Sequence, residues 1–127
     1  MSILEDMGAH LISNSIVDGA TGWALYYGYV PASPDQIVAL HETGGLEPDQ
    51  TVPAASSYPT FQVVVRGGKL DYATTRTQIQ AFVDSLNNAT IAGYTYIYPT
   101  DSGPIPLRHD REDERPEMVW NFRAMKD

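Results

Sequence analysis

The sequence predicts an α+β fold: a mixed or mostly antiparallel sheet with two helices packed on one face. Three observations predict it. Two stretches, 3–16 and 72–86, carry apolar residues at the three- and four-residue steps of an amphipathic helix. Several shorter segments are rich in aromatic and β-branched residues or alternate apolar with polar, as strands do. Their order is helix, strand, strand, long irregular segment, strand, helix, then a run of strands, which implies one layered domain. A chain of 127 residues suits a single domain over 1–127 and a core that needs no staple.

The first helix opens on Ser2-Ile3-Leu4-Glu5, a capping box in which Ser2 and Glu5 satisfy each other's free N–H groups. Ile3, Leu4, Met7, Leu11 and Ile12 form its apolar stripe, and Gly19 and Gly22 end it. Residues 22–30 (GWALYYGYV) read as a strand and residues 36–43 (QIVALHET) as a second, joined through Pro31 and Pro34 in a possible hairpin. Residues 44–60, with three prolines and no periodicity, form a long irregular loop of a length that usually serves function or motion.

The clearest unit follows. Phe61, Val63 and Val65 alternate with Gln62 and Arg66, Gly67-Gly68 breaks the strand, and Asp71 is placed to cap a helix. That helix carries Tyr72, Ile79, Phe82, Val83 and Leu86 on one stripe. Residues 89–100 read as a strand with Tyr94, Tyr96 and Tyr98 on one face and Ile91, Thr95 and Ile97 on the other. Residues 101–104 carry a turn signal, 105–108 a short strand and 110–115 a charged turn. Residues 117–125 close the chain, with Met118, Trp120, Phe122 and Ala124 inward and Glu117, Asn121 and Arg123 outward.

Composition narrows function. Acids outnumber bases 16 to 8, and most of the excess lies before residue 101. That balance disfavours ordinary nucleic-acid binding and adhesion to anionic membranes, though not a surface past which DNA must slide. The chain has no cysteine, no apolar run long enough to span a membrane and no basic stretch before its first apolar residues.

Residues that could carry chemistry do not assemble into a motif. His10, His41 and His109 lack the spacing of a metal site. Asp110, Glu112, Asp113 and Glu114 lack the alternation and central glycine of a calcium loop, and Arg108, Arg111 and Arg115 neutralise them. Ser56 and Ser57 have no nucleophile elbow, and Gly67-Gly68-Lys69 is not a phosphate loop. No catalytic residue, metal or cofactor is expected. The tyrosines stand out instead. Tyr94, Tyr96 and Tyr98, with Tyr26, Tyr27 and Tyr29, suit cross-strand packing or a protein interface. Base stacking would want flanking Lys/Arg, which are absent.

Taken in order, these segments resemble small tail-completion proteins of long-tailed bacteriophages, the minor capsid or tail terminator proteins. The likeness runs through GWALYYGYVPASPDQIVALHETGG, FQVVVRGGKLDYATTRTQIQAFVDSL, the segment around Tyr94–Tyr98 and the strand from Arg115-Pro116-Glu117 to Asn121-Phe122-Arg123. The resemblance implies a structural virion protein of the neck. Such proteins form a ring, commonly a hexamer, at the head-proximal end of the tail tube, end its polymerisation and dock the head connector while DNA passes through the lumen. The implied partners are further copies of the chain, the tail tube protein and a connector or adaptor, with no membrane.

The candidate subunit or partner surface comprises Gly44, Gly45, Leu46, Pro48, Val52 and Tyr58 of the loop with Tyr94, Tyr96 and Tyr98. Two other readings stand beside it. One is a small ligand-binding or regulatory module using the tyrosine-rich sheet. The other is a hydrolase with a site built from His41, Glu42 and Ser57.

Overall fold

The computed structural model describes residues 3–14, 23–32, 35–45, 57–109 and 114–126. Two helices, α1 (Ile3–Ser13) and α2 (Tyr72–Leu86), accompany six strands: β1 (Ala24–Tyr27), β2 (Ile37–Glu42), β3 (Thr60–Arg66), β4 (Tyr94–Pro99), β5 (Ile105–His109) and β6 (Pro116–Lys126). They form one sheet in the order β1-β2-β3-β6-β4, with β5 also paired to β6. Both helices pack on one face, so the α+β architecture expected from sequence is the one observed.

The core lies between that face and the helices. Phe61, Val63 and Val65 of β3, Val38 and Leu40 of β2, and Met118, Trp120, Phe122 and Ala124 of β6 point into it. Phe61 and Phe122 are direct cross-strand partners whose rings stack at 5.0 Å. From above come Met7 and Leu11 of α1 and Ile79, Phe82, Val83 and Leu86 of α2, while Trp23 meets the Phe82 ring edge-on at 6.1 Å. Asp71 caps α2 as expected, its Oδ1 accepting from Thr74 N at 3.2 Å. A Cβ on Gly67 would collide with Thr75 Oγ1, so the strand-to-helix turn requires glycine for close approach as well as for bending.

Several expectations need correcting. β1 and β2 are parallel, Ala24 opposite Ile37 and Tyr27 opposite Leu40, not a hairpin. β2 therefore starts beside the start of β1. Ile12 is exposed, as is Tyr72, and buried Thr75 takes the inward position near the start of α2. Residues 101–104 do not reverse the chain. β4 and β5 both run antiparallel to β6, against its second and first halves, so residues 100–104 are an outward excursion within one interrupted strand.

Trp120 Nε1 and Asn121 N hold that excursion by donating to the Asp101 carbonyl and carboxylate at 3.0 and 3.1 Å. Ser2, Gly19, Gly22 and residues 110–113 fall outside the described residues.

Candidate interaction surface

Side chains alternate across a sheet, so the face away from the helices is set by the same registers. At one end it carries a small buried cluster of Ile37, Ala39, Val64 and Val119, with Tyr26 beside it. Two buried arginines secure the β1–β2 connection over that end. Arg66 Nη1 donates to Pro31 O at 2.6 Å and its Nε to Asp35 O at 3.1 Å. Arg115 Nη1 donates to Ala32 O at 2.7 Å and pairs with the Asp35 carboxylate at 3.2 Å. Sequence alternation reads Arg66 as outward and Arg115 as a turn residue; both are buried because the connection covers them.

The other end of this face is polar-aromatic, and its described residues are half-exposed. His41, Gln62 and Asn121 lie in one cross-strand row. Gln62 Nε2 donates to Asn121 Oδ1 at 3.0 Å, and Asn121 Nδ2 donates to Asp101 Oδ2 at 3.1 Å. The next row holds Thr60, Arg123 and Tyr98, followed by Met125 and Tyr96. Tyr96 and Tyr98 sit with ring centroids 5.2 Å apart, and the Arg123 guanidinium lies 5.7 Å from the centre of the Tyr58 ring. Arg123, Gln62 and Asn121 belong to this surface as well as the tyrosines. Their signal is their place at the outward positions of alternating strands.

Tyr94 does not join Tyr96 and Tyr98. A bulge between Tyr94 and Tyr96 puts an extra residue into β4 and turns Tyr94 to the helix side. There it packs against the core and its Oη donates to Asp6 Oδ2 of α1 at 2.7 Å. Burial first, then the hydrogen bond to Asp6 and its charge, raises the Tyr94 pKa well above that of a free phenol.

The sign follows from proton affinity. Folded Tyr94 holds its proton more tightly than unfolded Tyr94. Its contribution is therefore complete below about pH 10 and is lost as pH climbs toward the folded value. Between about pH 9 and pH 11, the parent should lose stability more steeply than Tyr94→Phe. Urea unfolding at both pH values checks this; parallel losses would remove Tyr94 as the cause.

The root of the candidate loop adjoins the same region. Thr43 N donates to Thr60 O at 3.1 Å, and Gly45 N donates to Thr60 Oγ1 at 3.0 Å. Gly44 and Gly45 both have positive φ, and a Cβ on Gly45 would lie 2.8 Å from Tyr58 O, so glycine is required there. Ser57 forms a two-way backbone bridge with Lys126. The structure thus brings Gly44, Gly45 and Tyr58 together at the loop root, with Tyr96 and Tyr98 nearby on the open face. Leu46, Pro48 and Val52 lie outside the described residues.

The structure does not bring His41, Glu42 and Ser57 together as one site. Neighbouring residues of a strand face opposite ways, so His41 looks onto the open face and Glu42 to the helix side. Glu42 and Ser57 line a recess of about 240 Å³ with Ile3, Thr60 and Lys126, and His41 is not part of it. His10 instead ties the helices together through Nε2 and Ser85 O at 3.0 Å. Among the described residues no three His, Cys, Asp or Glu side chains converge as metal ligands, and no helix is long and apolar enough to cross a membrane.

A family model described as bacteriophage tail terminator protein matches residues 10–127. A solved chain from the virion of a native gene transfer agent (GTA) particle shares the fold, with a TM-score of 0.69 at 19% identity. The superposition covers 98% of this chain and 94% of that one. No curated protein sequence matches.

Proposed function

The chain belongs to the bacteriophage tail terminator family, and from that premise we propose that it works as a non-enzymatic ring at the head-proximal end of the tail tube. There it ends tube polymerisation and offers the head connector a docking surface. The observation that carries the reading is the family match, which takes in both helices and all six strands but for the first turns of α1. The ring is a homo-oligomer, taken as a hexamer, whose other partners are the tail tube protein and a connector or adaptor. It assembles in the host cytoplasm and resides in the neck of the virion. Its formal charge of −8 suits a lumen through which DNA passes without being held.

A cyclic ring needs a heterologous interface, with two different patches on each subunit. The open sheet face with Tyr58, Tyr96 and Tyr98, and the loop that starts at Gly44 and Gly45, supply one of them. Leu46, Pro48 and Val52 of that loop belong to the same proposal.

Polymerising purified tail tube protein with and without this chain tests the reading. Added early, the chain should shorten the tubes and remain at one end of each, as seen by negative-stain microscopy. Tubes of unchanged length with no bound chain would refute it.

A further inference from the structure

We propose that Arg123 anchors one copy of this chain to the next by receiving a carboxylate of the second copy on the open sheet face. This deepens the ring reading and rests on it.

Arg123 is half-buried, whereas Arg66 and Arg115 are buried. Arg66 and Arg115 donate to carbonyl oxygens of the β1–β2 connection. The Arg123 Nε–H is buried without an acceptor, and no carboxylate among the described residues pairs with the group. An unpaired guanidinium favours an anion, and its fork matches a carboxylate in two-point geometry. The group lies over the Tyr58 ring, 5.7 Å from its centroid, a contact that favours this position of the side chain.

The surroundings fit a protein partner. Tyr96, Tyr98 and Met125 border Arg123 on the same face. Tyr, Met and Arg are the side chains enriched at the centres of interfaces. Two copies meeting face to face about a twofold axis through this patch would set Arg123 against Arg123. Like-charge repulsion disfavours that arrangement and favours a head-to-tail contact with an acidic patch. The chain has carboxylates to offer, with 16 acids against 8 bases.

The test compares the parent, Arg123→Gln and Arg123→Lys by light scattering coupled to size exclusion, over a range of protein and salt concentrations. Melting curves are recorded on the dilute monomer. Arg123→Gln should melt close to the parent, yet need about tenfold or more higher concentration to assemble. Arg123→Lys should fall between, since it keeps the charge and loses the fork. Salt should weaken the parent's assembly more than that of Arg123→Gln.

Equal assembly of parent and Arg123→Gln would overturn the proposal and leave the ring reading standing. So would a lowered monomer melting temperature with unchanged assembly, which would assign the acceptor to the same chain. A parent that stays monomeric even on tail tubes would overturn the ring reading and this proposal with it.

Discussion

Replacing Phe82 with alanine lowers the unfolding free energy by about 3–5 kcal/mol. Phe82 is fully buried near the centre of the helix layer, and its ring takes the edge of Trp23 at 6.1 Å. It sits on α2, the helix that contacts β3, β4, β6 and α1, so no neighbour can move into the space without disturbing another contact. The lost burial and the cavity left behind both count against the folded state. Chemical denaturation should show a lower midpoint with an unchanged slope. A variant as stable as the parent would mean that the core does not lie between α2 and the sheet.

Replacing Arg66 with methionine costs about 3 kcal/mol, the order expected when hydrogen bonds from a charged group to buried acceptors are lost. Methionine fills similar volume, so the loss isolates polar contacts rather than a cavity. The carbonyls of Pro31 and Asp35 would lose their donors, and the connection that makes β1 parallel to β2 would lose one of its two arginine clamps. The effect should be local as well as global. Amide exchange should quicken in residues 35–40 before it quickens in the β3–β6 pair. Unchanged exchange and stability would show that Arg115 alone secures the connection.

These two residues mark what the sequence makes legible. Phe82 was readable because helical periodicity and burial coincide on α2, and the same holds for Val63, Trp120 and Phe122 on strands with one face to the core. Arg66 was not readable. Alternation assigns it to the second face correctly, yet gives no sign that a proline-bearing connection covers that end. The parallel pairing of β1 and β2 was hidden for the same reason, since two strands and a short link look alike in either direction.

The surface was legible in part. Tyr96 and Tyr98 share the sheet face that alternation gives them, and Tyr58 lies at the loop root beside Arg123. Tyr94 departs because one bulge shifts the register, and a bulge in β4 carries no signature in a run of alternating tyrosines. His41 and Glu42 are neighbours in sequence and opposed in space. The polar row of His41, Gln62 and Asn121 appears only once the strands are paired.

Imaging the virion at a resolution that traces this fold tests the central claim most directly. A closed ring of this chain is expected at the head-proximal end of the tail tube, one layer thick, between the last tube ring and the connector. Density for the chain at the distal tip, within the capsid shell, or as single unringed copies would contradict it.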